Sequence, residues 1–157
     1  MAVTRLLAGI AAGAAGTTAL NAVTFADMVV RARPSSTTPE DTVHVAEDAT
    51  GVSLAADGPD SAAAGNRRSG LGALMGIAAG LATGAVYGLA RPGLGGLPAV
   101  ARGALVGVAA NVATTGPMAA TGVTDVREWT PDSWVSDLLP HLAYGLVTVA
   151  VADALGR

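Results

Sequence analysis

Glycine recurs at every fourth position, Gly72, Gly76, Gly80, Gly84 and Gly88, inside the apolar stretch LGALMGIAAGLATGAVYGLA. A step of four turns a helix by about 400°, so the five glycines drift slowly round one face while the ladder climbs roughly 24 Å. That is most of the thickness of a bilayer core. Such a glycine zipper lets a neighbouring helix approach to backbone contact, and packing is its ordinary use; lining a pore or joining copies of the chain are the others.

The composition agrees with a membrane reading. The chain has 157 residues, one domain by length, and is 51% hydrophobic with only 13% charged, against about a quarter charged in soluble domains. Aromatics are 3%, so each apolar stretch is built from Gly and Ala and gains stability from close backbone approach rather than bulk. Every basic residue is Arg and there is no Cys, which excludes disulfides, thiolate catalysis, cysteine-ligated metals and any Schiff-base or P-loop lysine. The net charge of −3 is thinly spread and indicates neither a nucleic-acid partner nor a polybasic lipid anchor.

Four apolar stretches predict an all-α, four-helix transmembrane bundle with spans at about 6–30, 71–90, 99–120 and 132–155. The first is too long for the apolar region of a signal peptide, and Gly9 and Gly13 give it a small-residue face of its own. Residues 31–69 turn abruptly to Arg, Pro, Ser, Thr, Asp and Glu and predict one long extramembrane loop. Within it Thr38-Pro39-Glu40-Asp41 reads as a cap, a first-turn proline and first-turn acids, and Gly51 closes a short helix. Val43, Ala46 and Ala49 or Thr50 give that helix a weakly apolar face suited to a membrane surface, and AADGPDSAAAGNRRSG reads as flexible linker.

The third span is the least hydrophobic, carrying Arg102, Asn111, Thr114, Thr115 and Pro117. Trp129 and Trp134 suit a membrane interface, and Thr130-Pro131-Asp132 starts the last helix, which contains Pro140. Four spans put both termini and the 91–98 turn on one face, here the terminal face, and residues 31–69 and the Trp loop on the other, the loop face. Arg5, Arg91, Arg102 and Arg157 then oppose Arg31, Arg33, Arg67, Arg68 and Arg127, a balance that leaves orientation open.

Polar residues inside the spans form the candidate site. Thr17, Asn21, Thr24 and Asp27 lie on one arc of the first helix, and Asp137, His141, Tyr144 and Thr148 on one arc of the last. Counting depth at 1.5 Å per residue puts Asn21, Thr114, Thr115 and His141 in the loop-side half of the bundle and Asn111 near the midplane, and the two arcs add Thr24, Asp27, Asp137 and Tyr144 to the cluster. Hydrocarbon supplies no partners, so these stripes should face inward. Asn21 and Asn111 suit interhelical hydrogen bonds, and Asp27 is placed to pair with Arg31. His141 has two readings: a neutral imidazole satisfied by Asn or Thr, or a proton-titrating or ligand-binding residue oriented by Asp137. The second histidine, His44, lies in the loop, so no metal site and no bis-histidine haem is expected. No phosphate loop or nucleophile context is present, and neither a catalytic residue nor a cofactor is expected.

The segments LLAGIAAGAAGTTALNAVTFADMVVRARPSSTTPE and GPMAATGVTDVREWTPDSWVSDLLPHLAYG resemble a group of small, uncharacterised actinobacterial integral membrane proteins. More remotely, residues 122–144, with Gly122, Thr124, Trp134, Ser136, Asp137 and His141, are similar to the end of YagU-like inner-membrane proteins, a family linked to acid tolerance. The resemblance implies a multi-pass protein of the bacterial plasma membrane and supplies no mechanism. The expected function is that of a structural or accessory membrane component, in contact with lipid and with a second copy or another membrane protein. A small channel or proton-linked transporter built on the cluster around His141 is the alternative.

Overall fold

A computed structural model describes residues 1–56, 58 and 61–156. Among them there are five α-helices and no strand: α1 Ala2–Arg31, α2 Thr38–Thr50, α3 Ala62–Ala90, α4 Ala99–Ala120 and α5 Pro131–Leu155. Short 3-10 turns occupy Arg91–Leu94 and Val126–Glu128. α1 packs along both α3 and α5, α5 packs along α4, and α3 meets α4 more lightly.

Small residues set these contacts. A Cβ on Gly13 would lie 2.6 Å from the Gly80 carbonyl oxygen, and one on Gly84 would lie 2.5 Å from Gly13 Cα. Gly9 meets Gly84 and Gly88 in the same way. Two helices touching backbone to backbone gain dispersion along their length that any larger side chain would forfeit. The ladder is nonetheless not one uniform seam. Gly72 backs onto Pro39 of α2, Gly80 onto Thr17 of α1 and Tyr144 of α5, and Gly84 and Gly88 onto α1, while Gly76 has nothing within 4 Å. The expectation of a packing role at Gly76 is therefore corrected: steps of four drift round the helix, and at this rung the face has turned away from both neighbours.

A second glycine seam joins α4 to α5. Gly103 meets Leu146, Gly107 meets the His141 backbone with its carbonyl oxygen 2.6 Å from a built Cβ, and Gly145 faces both Gly103 and Gly107. Around these seams the core is small and sparse: Ala12, Val106, Ala110, Val149 and Ala152, with Tyr87 and Tyr144 as its large members. The outer surface carries the bulk instead. Leu74 is 62% exposed, Val86 66%, Val108 56% and Val112 60%.

Two boundaries differ from expectation. The stretch read as flexible linker is helical from Ala62, because Ser61 caps it, its Oγ accepting from Ala64 N at 3.1 Å, and three alanines follow. The short helix begins at Thr38 with Thr37 as its cap residue and closes at Gly51 with φ 71°, a left-handed turn that glycine adopts without strain. Its Val43 is buried, but Ala46, Ala49 and Thr50 are exposed. The helix does not present the expected face: it packs on the first turns of α3, held by Arg68 Nε donating to Glu47 Oε2 at 2.6 Å.

α1, α3 with its 3-10 extension, and α5 are long and apolar enough to cross a membrane. α4 has 22 residues and falls outside this set because it carries Arg102, Asn111, Thr114, Thr115 and Pro117. The four expected spans thus correspond to four packed helices of which three meet the criterion of length and apolarity.

Candidate functional site

Gly107 determines what happens one turn further along α4. Because it carries no side chain, the α5 backbone at His141 lies directly against it, and Asn111 and Thr114, on the same side of α4, come level with Asp137 and His141. Asn111 Nδ2 donates to Asp137 Oδ2 and lies 3.3 Å from His141 Nδ1. His141 Nδ1 also lies 2.7 Å from the Asp137 carbonyl oxygen. A carbonyl only accepts, so Nδ1 carries a hydrogen, and Nε2 faces Thr114 Oγ1 at 3.3 Å. The Asp137 carboxylate lies 3.8 Å from the ring. These four side chains close into one network between two helices.

Asp27 belongs to a separate cluster on the loop face. Arg31 Nε donates to its Oδ1 at 2.6 Å and Arg33 Nε to its Oδ2 at 2.5 Å. Ser136 of α5 donates to the same carboxylate at 3.2 Å and accepts from Arg31 Nη2. Ala32, between the two arginines, takes φ 50°, the left-handed conformation that turns the chain back so that both reach Asp27. The α1 C-terminus is thereby tied to the first turns of α5. Asp132 adds a looser contact to Arg31 at 3.4 Å.

The remaining expected members lie elsewhere. Asn21 is exposed and outside both clusters, so the expectation that it faces the bundle interior is corrected. It continues the row Gly9, Gly13, Thr17 that faces α3, but steps of four drift round the helix and carry it past that contact. Thr24 and Thr115 are half-buried and hydrogen-bond none of the other cluster members. Tyr144 is buried, but its hydroxyl donates to the Gly80 carbonyl of α3 at 2.6 Å rather than joining His141. The five glycines other than Gly76 that were read as packing positions beyond Gly72, namely Gly9, Gly13, Gly80, Gly84 and Gly88, all lie at α1–α3 or α3–α5 contacts.

One charged cluster went unread in the sequence. At the terminal face Arg102 Nη2 donates to Asp153 Oδ2 at 2.8 Å, and Arg91 Nε lies 3.0 Å from Asp153 Oδ1. Arg102 Nη1 also donates to the Tyr87 hydroxyl at 3.0 Å, and Arg91 Nη1 to the Ala152 carbonyl at 3.0 Å. The signal was available: Arg102 opens α4 and Asp153 ends α5, and in an antiparallel pair those ends meet. Gly103 and Gly107 likewise stand four apart, the same spacing as the ladder.

The loop-face connection is also ordered by side chains. Trp129 and Trp134 pack edge to face with ring centroids 4.9 Å apart, and Trp129 Nε1 donates to Thr124 Oγ1 at 2.8 Å. The Arg127 guanidinium holds the Asp125 carboxyl below its ordinary range. Arg68 does the same for Glu47, helped by the Leu54 backbone N–H. Among the described residues no group of three or more His, Asp or Glu is arranged to hold a metal ion. No family model matches the chain, and comparison with curated proteins and with solved structures finds no match.

Proposed function

We propose that the chain is a multi-pass integral protein of a bacterial plasma membrane, with four helices across the bilayer, and that it acts as a structural or accessory component rather than as an enzyme. The observation that carries this reading is the inversion of its packing. Glycine and alanine fill the interior while Leu74, Val86, Val108 and Val112 stand outward, an arrangement costly in water and natural in lipid. α4 is admitted as the fourth span because its most polar groups have partners within the protein: Asn111 and Thr114 on α5, and the terminal nitrogens of Arg102 at Asp153 and Tyr87. Engagement of Asn111, Asp137, His141 and Thr114 with one another favours a role in fixing helix register.

A proton-linked channel or transporter is the second reading, favoured by the 3.8 Å approach of His141 to Asp137, a pair able to pass a proton. Reconstitution into proteoliposomes separates the two. The accessory reading expects proton flux equal to that of protein-free vesicles, with His141→Ala lowering the resistance of the protein to denaturation by about 1 kcal/mol. A pH-driven flux that His141→Ala abolishes would replace it with the transport reading.

A further inference from the structure

The terminal face holds a cavity of about 590 Å³ between the 91–98 turn and the ends of α4 and α5, lined by Arg5, Arg91, Arg102 and Asp153 among others. Three guanidinium groups stand there with one carboxylate, since Asp153 is the only acid on this face among the described residues. Both Asp153 oxygens are already taken by Arg91 and Arg102. Arg5 is exposed, and its side chain makes no hydrogen bond or ion pair among the described residues. Arg102 Nε is buried without a partner, although a guanidinium has five donors to place. Among the described residues the site is therefore short of acceptors and carries an excess of positive charge. The loop face is different: Arg31 and Arg33 share Asp27, Arg68 pairs with Glu47 and Arg127 with Asp125.

A second cavity, of about 330 Å³, adjoins the first and shares Arg5, Arg91 and Gly156 with it. Its other walls are mostly small and apolar, including Ala8, Gly9, Gly88 and Leu155. A cationic recess beside an apolar groove, at the end of a helix bundle, matches a ligand with an anionic head and a hydrocarbon tail. Guanidinium donors suit phosphate oxygens by geometry and charge, and basic recesses between spans hold anionic headgroups.

We propose that Arg5, Arg91 and Arg102 form a binding site for a phosphate group, supplied by the headgroup of an anionic phospholipid seated at the terminal face. The site rests on the membrane reading of the chain. Resistance of the protein to extraction by alkaline carbonate tests that reading separately, so failure of either is recognised without the other.

The test is native mass spectrometry of the full chain released from neutral detergent, with dioleoyl phosphatidylglycerol or dioleoyl phosphatidylcholine added. The expected result is a single retained phosphatidylglycerol, no comparable retention of phosphatidylcholine, and a loss of about tenfold or more in the bound fraction in Arg5→Gln. Arg33→Gln, at the opposite face, should leave retention unchanged. Arg5 has no partner within the described chain, so its variant should keep the wild-type melting temperature, and Arg91→Gln repeats the test. Inorganic phosphate is then added as competitor. Failure to displace the lipid assigns the site to a lipid headgroup, whereas full displacement at millimolar concentration assigns the same arginines to free phosphate. Equal retention of the two lipids, or retention unaffected in a folded Arg5→Gln protein, would overturn the proposal.

Discussion

Asn111 illustrates how a single side chain fixes the distance between two helices. Its amide donates to Asp137 and lies beside His141, and removing it leaves a part-buried carboxylate without its donor. Asn111→Leu and Asp137→Asn should each destabilise the protein, while the double variant costs less than the sum, with a coupling of about 1 kcal/mol. Unfolding by a denaturing detergent, run on all four proteins, measures it; strictly additive losses would mean that the two groups do not act as a pair. The composition of this site was legible in part. Depth counting along antiparallel spans brings Asn111, Thr114 and His141 together, because depth depends only on position along a helix, and the spacing of four adds Asp137. It could not settle azimuth, which is why Asn21 was grouped with them although it is exposed. For Tyr144 the arc was right and the partner was not: a long side chain reaches across to Gly80.

At the scale of helices, the same substitution should have opposite signs on different rungs of the glycine ladder. Gly76 has open space around it, so Gly76→Ala should stabilise α3 by about 0.5–1 kcal/mol through lower backbone entropy in the unfolded chain. Gly84 lies against Gly9 and Gly13, so Gly84→Ala must push α1 away and should cost about 1–3 kcal/mol or more. Detergent-induced unfolding distinguishes them, and equal effects would refute a seam confined to particular rungs. The ladder itself was evident in the chain, but which rungs are closed depends on where α1, α2 and α5 sit. The start of α3 was missed for a different reason. Ser61 and the alanines after it carry a start signal, but Asn66, Arg67, Arg68 and Ser69 have the polarity of a loop, and only the pairing of Arg68 with Glu47 on α2 explains their place on a helix.

That pairing makes the docking of α2 sensitive to acid. Glu47 is held below its ordinary carboxylate range by Arg68 and by the Leu54 N–H. A carboxyl lowered on folding contributes stability that is complete above its unfolded range and is lost as pH falls through the lowered folded value. Hydrogen exchange across residues 38–50 should therefore be slow and independent of pH, after correction for intrinsic rates, from neutrality to about pH 5, and faster below about pH 4. Glu47→Gln should give fast exchange throughout. Protection in that variant equal to wild type would show that Val43 and Pro39 alone hold the helix.

For the molecule as a whole, the small interior and bulky exterior are two aspects of one composition. A chain with 21 glycines and 3% aromatics cannot build a voluminous core, so it brings backbones together and leaves its larger side chains outside. This much was plain from the sequence: an all-α chain, its long helices, and α4 as the least apolar of them. The charge asymmetry between faces was not plain, because counting arginines weighs paired and unpaired ones alike. Only the ion pairs reveal that, among the described residues, Arg5, Arg91 and Arg102 are left with one acid among them.

Four crossings are the central claim, and the absence of cysteine makes them directly measurable. Single cysteines replace Ser35, Gly96 and Glu128, all exposed in connections between helices, and Val108, exposed on α4. Each variant is treated in intact and in permeabilised cells with a membrane-impermeant maleimide. Ser35→Cys and Glu128→Cys should label from one side, Gly96→Cys from the other, and Val108→Cys from neither. Labelling of Gly96→Cys and Glu128→Cys from the same side, or ready labelling of Val108→Cys, would contradict a membrane-spanning α4 and the four-span account with it.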